Sequence, residues 1–260
     1  MPDRSVTLSV VSHGQSALVN ELLGDIQRLC ADSVVLVLTR NILDPVAFAT
    51  GDLACPCETI ANAEPKGFGA NHNAAFSHCH TPYFCVVNPD VRFVSDPFPV
   101  LLETLQHGRA GVVGPLVRSP AGTVEDSARR FPTLRRLMAK AILSQPLPDY
   151  PIDDGPVDAD WVAGMFMLFR SETFRAVGGF DKAYFLYYED VDICRRAWAK
   201  GWRVTYAPVA RFTHYLQRES RISAPWQLFT NRVARTHIKS GLLYHLKYGI
   251  LSSCRSHRTF

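Results

Sequence analysis

No stretch of this 260-residue sequence approaches the roughly 18 consecutive apolar residues that a membrane-spanning helix requires. Repeats and low-complexity tracts are missing too, so a repeat array is not expected. The opening residues, Met1-Pro-Asp-Arg-Ser5, lead directly into a strand-like segment without the layout of a signal peptide, and a cytoplasmic location is the expectation. The seven cysteines are odd in number and scattered, as free thiols in a reducing compartment would be. Cys55-Pro-Cys57 and His78-Cys79-His80 lack the C-x₂₋₄-C spacing that lets one turn present two ligands to zinc, so no structural zinc is expected. The GxGxxG dinucleotide fingerprint is also absent.

What is present suits a folded protein of one large domain, or one and a half. Hydrophobic residues make up 47% and charged residues 20%, so disorder should not dominate. Charge is uneven along the chain. Residues 211–260 hold nine Lys/Arg against one Glu, or +8, which leaves −4 on everything before them within a net +4. A basic tail on a neutral-to-acidic body suits an anionic partner: membrane headgroups, a polyanion or a phosphate-bearing substrate.

Near-continuous apolar runs at Val6–Val11, Val34–Leu38 and Tyr83–Val87 read as buried strands, and helical periodicity lies between the first two at Leu18, Leu22, Ile26 and Leu29. Such an alternation predicts a parallel sheet covered on both faces. Ligands bind past the carboxyl ends of strands in these sheets, which marks Ser12-His13-Gly14 and Thr39-Arg40-Asn41. Gly67-Phe-Gly-Ala-Asn-His-Asn73 is a glycine-rich entry into a helix, either a close backbone approach to a phosphate or only a turn. Asn88-Pro-Asp90 ends the third strand, where an acidic residue can hold a metal–diphosphate unit or simply make a turn.

Further on, Phe98–Gln106 reads as a helix and Ala110–Gly114 as a fourth strand. Arg129 and Arg130 are candidates to clamp phosphates, or form a solvated basic turn. A short helical piece is expected over 134–143, and Pro146–Asp158 reads as a linker or mobile loop. Gly201–Tyr206 reads as a strand stopped at Pro208, with a second short strand carrying His214. Trp226, Phe229 and Val233 share one helical face and Arg232, Arg235 and Lys239 another, with Gly241 expected to break that helix. This pattern fits a helix lying on an anionic membrane surface, or one packed on the domain.

The richest stretch is Phe185-Leu-Tyr-Tyr-Glu-Asp-Val-Asp192, which sets three carboxylates beside an apolar run at the start of a helical pattern. Asp190 there reads as an N-cap or as a general base delivered by an apolar segment.

In order and spacing, Gly67–Asn73, Asn88-Pro-Asp-Val91, Trp161-Val-Ala-Gly164, Val177-Gly-Gly-Phe-Asp181, Phe185–Ala197 and Gly201-Trp-Arg-Val204 with His214 resemble the family-2 glycosyltransferases of the GT-A fold, inverting enzymes that use nucleotide-sugars. Bacterial rhamnosyltransferase-like members that build surface polysaccharides are the nearest in look. The resemblance, over about Val6 to Tyr215, implies an α/β, mixed and mostly parallel, Rossmann-like sheet flanked by helices. The catalytic domain would be 1–215, with a nucleotide-sugar half of about 1–115 and an acceptor half of about 116–215, followed by a helical extension over 216–260.

It also implies roles. Asp190 would be the general base. Glu189, Trp161 and Gly164 would bind the acceptor, and Ser12, Gly14, Gly69, Asn71 and Asn88 the donor, with Arg130 added as a phosphate clamp. Asp90 and His214 would hold Mg²⁺ or Mn²⁺. The expected partners are a nucleotide-sugar such as dTDP-rhamnose, a glycan or lipid-diphosphate-linked acceptor, and an anionic membrane at the inner face of the cell; nucleic acid is not expected.

Two departures from the family pattern stand out: Thr39-Arg40-Asn41 replaces an acidic residue that often recognises the base, and Asn88 replaces the first acid of the metal motif. The alternatives are a nucleotidyltransferase, which would want a basic residue in Ser12–Ser16 that is absent, and a non-catalytic sugar- or membrane-binding protein.

Overall fold

The computed structural model describes residues 4–125, 127–133, 136, 148–153, 155–215 and 231–249. The helical piece over 134–143 falls almost wholly outside these, as do part of the 146–158 run and Trp226, Phe229 and Ile250.

In chain order the elements are β1 (Val6–Ser12), α1 (Ser16–Leu29), β2 (Val34–Arg40), β3 (Cys57–Ala61), α2 (Phe68–Phe76), β4 (Tyr83–Val87), β5 (Val91–Phe93), α3 (Phe98–Gln106) and β6 (Ala110–Arg118). Next come β7 (Val124–Glu125), β8 (Ala128–Arg129), β9 (Val157–Asp158), β10 (Trp161–Val162), β11 (Phe166–Arg170), α4 (Ser171–Ala176), α5 (Glu189–Ala199), β12 (Arg203–His214) and α6 (Arg232–Tyr248). The main sheet runs β3-β2-β1-β4-β11-β6-β12-β5, with β7 on β6 and β9 on β12; β8 and β10 form a separate ribbon. β1, β2, β3 and β4 are parallel, β11 enters antiparallel, and β12 is parallel to β6. The mixed, mostly parallel sheet is the one anticipated.

Both faces are covered, which explains the unbroken apolar runs. Val6, Leu8 and Val10 of β1 join Leu22 and Ile26 of α1 and Leu101 of α3 in one core. Val37, Phe84 and Val86 join Ala75 of α2, Phe174 of α4 and Ile193 of α5 in the other. The polar residues of β1 on that second face are satisfied rather than exposed. Thr7 and Ser9 hydrogen-bond Thr81 and His72 at 2.8 Å each.

Three local expectations are corrected. β6 continues through Pro115 to Arg118. β12 is a single strand across Pro208, because its pairing with β6 breaks register between Ala207 and Arg211, where a residue without an N–H is tolerated. Gly241 does not break α6; it lies mid-helix because a Cβ there would sit 3.2–3.3 Å from the Tyr188 ring. Strand β3 was not anticipated, since its largely exposed Cys57–Ala61 lacks an apolar run.

Candidate active site

The carboxyl end of β4 meets the start of α5 through the bend that carries Gly164 and Met165. Asn88 N–H donates to the Met165 carbonyl at 2.9 Å, and the adjoining Gly164 N–H donates to Asp190 Oδ2 at 3.0 Å. Consecutive residues of one bend thus tie the β4 tip to the α5 carboxylate. Gly164 packs closely here: a Cβ would lie 3.2 Å from the end of the Phe68 ring and 3.6 Å from Asp190 Cβ.

Asp190 is the second residue of α5, and no side chain caps that helix. Its Oδ1 accepts from the Val191 N–H at 2.8 Å. Burial pushes its pKa above the ordinary carboxylate range, against the Gly164 and Val191 N–H groups and the positive charge of Arg129. Glu189 beside it is buried, with Oε2 lacking a hydrogen-bond partner among the described residues. Burial, then the Asp190 charge, push Glu189 well above its ordinary value.

The turn that delivers these acids is strained. Tyr187 and Tyr188 both have φ of 69°, in the left-handed region that non-glycine residues avoid, at a cost of roughly 1–3 kcal/mol each. The turn is clamped from two sides. Phe68 N–H donates to the Phe185 carbonyl at 2.9 Å, beside Gly67, whose Cβ would fall 2.5 Å from that oxygen. From the other side, Ser240 Oγ donates to the Leu186 carbonyl at 2.8 Å, and the Tyr188 ring lies on Gly241 and Tyr244 of α6.

At the β4 tip the structure brings Asp90 and His214 together: Oδ2 and Nε2 are 2.9 Å apart. Nδ1 of His214 meets Glu125 Oε2 at 2.9 Å. Burial lowers the imidazole's pKa, but hydrogen bonds and charge from the two carboxylates outweigh it and raise the group to about 9. Asp90 Oδ1 is buried without a hydrogen-bond partner among the described residues. No three His, Cys, Asp or Glu side chains converge as a ligand set among those residues. Even so, Asp90 and His214 fit a weakly held divalent ion. Their 2.9 Å separation matches the edge of an octahedron with bonds of about 2.1 Å. Oδ1 is also left over as a further oxygen donor.

The other candidates divide. Ser12 Oγ accepts from the Gln15 N–H at 3.0 Å, and Gly14 has φ of 79°, so this loop turns sharply into α1. Asn71 is buried, its amide donating to the Lys66 and Gly67 carbonyls at 3.1 Å and accepting from Asn62 at 2.7 Å. Asn62 also donates to Asn41 at 2.8 Å, which makes an amide network across the β2 and α2 loops. Gly69 packs on Phe180, where a Cβ would lie 2.5 Å from that residue's own. Trp161 donates from Nε1 to the Arg130 carbonyl at 3.0 Å. The Arg130 guanidinium lies over Tyr150 at 5.3 Å, whereas Arg129 lies over Trp161 at 5.1 Å and acts on Asp190. Glu125 and Asn62 were missed as site residues; a two-residue strand and an isolated loop amide leave no periodic signal.

An α/β sheet of this order, with an acidic strand tip on one side and a half-buried carboxylate at a helix start on the other, has the architecture of the GT-A glycosyltransferases. The chain belongs to glycosyltransferase family 2: the family model described as "Glycosyltransferase like family 2" matches residues 2–236. It is 28% identical over 264 aligned residues, 95% of each chain, to "Rhamnosyltransferase WbbL" of Escherichia coli (strain K12). It is 36% identical over 140 residues to "N-acetylglucosaminyl-diphospho-decaprenol L-rhamnosyltransferase" of Mycobacterium tuberculosis, covering 50% of this chain and 46% of that one.

Among solved structures, GalNAc-T7 with UDP, GalNAc and Mn²⁺ superposes with a TM-score of 0.66 at 13% identity, over 98% of this chain and 52% of that one. The chain thus spans about half the length of that protein. The mannosyltransferase PcManGT from Pyrobaculum calidifontis, with GDP-Man and Mn²⁺, gives 0.56 at 13% identity, over 94% and 76%. At such identities the likeness is one of fold.

Proposed function

We propose that this glycosyltransferase moves a rhamnosyl group from dTDP-rhamnose to a hydroxyl of a growing surface glycan carried on a lipid diphosphate, with inversion at the anomeric carbon. The carrying observation is Asp190: a half-buried carboxylate of raised basicity, its oxygens oriented by the Gly164 and Val191 N–H groups. In this reading Asp190 takes the proton of the acceptor hydroxyl as that oxygen attacks the anomeric carbon from the face opposite the leaving diphosphate. Trp161, Gly164 and Glu189 wall the acceptor side. Ser12, Gly14 and Asn88 line the donor side, Gly69 and Asn71 act through the loops they hold, and Arg130 stands by for phosphate. Asp90 and His214 would hold Mg²⁺ or Mn²⁺, which supplies charge neutralisation for the departing diphosphate. The names of the two relatives, both rhamnosyltransferases and one acting on a diphospho-decaprenol substrate, favour this donor and acceptor.

The same reading puts the enzyme peripherally on the inner face of the membrane. α6 turns Ile238, Leu242 and Leu246 outward at 44%, 61% and 84% exposure, beside Arg235 and Lys239, a combination suited to anionic lipid.

The test is Asp190→Asn. It should keep its thermal midpoint and its dTDP-rhamnose affinity by calorimetry while kcat falls on the order of 10²–10⁴-fold. Near-normal turnover would remove the base assignment, and failure of dTDP-rhamnose to bind the wild type would remove the donor.

A further inference from the structure

Glu125 lies on β7, and its carboxylate hydrogen-bonds His214, the residue that meets Asp90 at the β4 tip. β7 and β12 flank β6: Val117 of β6 is in register with both Glu125 and Phe212, and His214 lies two residues beyond Phe212. Glu125 and His214 therefore project from one face of the sheet, and the Glu125 side chain reaches across to Nδ1. All three members of the row are largely buried, with side-chain exposures of 21% for Glu125, 9% for His214 and 10% for Asp90.

An imidazole can offer a lone pair from only one nitrogen at a time, and the hydrogen bond on the other nitrogen decides which. Nδ1 meets the Glu125 carboxylate and Nε2 meets Asp90 Oδ2. A cation that took the place of the Nε2 proton would therefore find Nδ1–H held by Glu125 and the Nε2 lone pair on the Asp90 side. The buried contact also fixes the ring plane. Carboxylate–histidine–metal rows of this kind raise the basicity of the ligating nitrogen.

We infer that Glu125 is a positioning residue: it sets the tautomer and orientation of His214 so that Nε2 and Asp90 present a paired divalent-cation site for the donor diphosphate. The inference rests on the metal-dependent reading of Asp90 and His214. It concerns a residue two strands away that makes no contact with the cation.

The experiment follows Mn²⁺ binding directly by electron paramagnetic resonance, in the presence of a saturating nucleoside diphosphate, for wild type, Asp90→Ala, His214→Ala, Glu125→Gln and Glu125→Ala. Glu125→Ala should weaken Mn²⁺ roughly 10–100-fold. Glu125→Gln, which keeps an acceptor for Nδ1–H but loses the charge, should fall between it and wild type. Thermal midpoint and metal-free nucleotide affinity should stay near wild type, which separates positioning from a general loss of fold. Should the alanine variant unfold, the isosteric glutamine variant carries the test. Asp90→Ala and His214→Ala weakening Mn²⁺ while both Glu125 variants bind within twofold of wild type would overturn this inference alone. If Asp90→Ala and His214→Ala leave Mn²⁺ affinity unchanged, the metal reading falls, and the inference with it.

Discussion

A carboxylate that is to act as a base must lose part of its hydration without losing the orientation that aims it. Backbone N–H groups of Gly164 and Val191 orient the half-buried Asp190, and the Arg129 charge acts on it as well. Its raised pKa fixes the sign of the pH dependence. With Asp190 as the proposed general base the active form would be deprotonated, so kcat/KM should rise with pH along a limb above the ordinary aspartate value of about 3.9. A rate flat from neutrality down to that value would contradict the assignment.

Asp25 works in the opposite sense. It is buried in α1, and burial raises its pKa, but hydrogen bonds from Arg92 and Arg28 prevail and lower it. A depressed folded value gives stability above the unfolded pKa of about 3.9 that is lost as pH falls through the folded one. Asp25→Asn leaves Arg92 with Glu21 as its remaining carboxylate partner among the described residues and should cost about 1–3 kcal/mol at neutral pH by urea unfolding, with the difference shrinking in acid.

Among elements, the Tyr187–Tyr188 turn and α6 act together. Two left-handed tyrosines persist only where surrounding contacts over-determine them. α6 supplies those contacts from one side with Ser240 and Gly241. It is anchored further along, where Lys247 Nζ donates to Asp181 and Asp192 at 2.7 Å each and the Tyr248 hydroxyl donates to Asp192. A side chain at 241 must displace the Tyr188 ring. Gly241→Val is therefore expected to destabilise by about 1–3 kcal/mol. It should also lower kcat more than donor KM, and speed amide hydrogen exchange at 187–190. Unchanged exchange there would mean that α6 does not hold the turn.

At the scale of the molecule, one helix serves two surfaces. Its inner side packs on the Tyr187–Tyr188 turn, and its outer side carries the exposed leucines beside basic residues. Among the described residues no helix is long and apolar enough to cross a membrane. The proposed peripheral attachment rests on the exposed leucines beside basic residues and predicts binding to vesicles that contain phosphatidylglycerol, little binding to pure phosphatidylcholine, and release by high salt. The double variant Leu242→Gln/Leu246→Gln should lose sedimentation with such vesicles while transfer to a water-soluble acceptor stays intact. Equal sedimentation of variant and wild type would argue against this surface, and a shift from dimer to monomer in the variant would reassign the patch to a second copy.

The sequence by itself determined the buried strands, because a sheet covered on both faces demands unbroken apolar runs at Val6–Val11, Val34–Leu38 and Tyr83–Val87. It also determined the glycine positions and acidic tips at which such strands end, and those carry the family resemblance. Only the tertiary structure decided which polar groups meet. Glu125 reaches His214 across an intervening strand, and Arg129 rather than Arg130 acts on Asp190. Gly241 is required not by its own helix but by a ring more than fifty positions earlier in the chain. Periodicity records which face of an element is buried; it holds no trace of which side chain waits on the element packed against it.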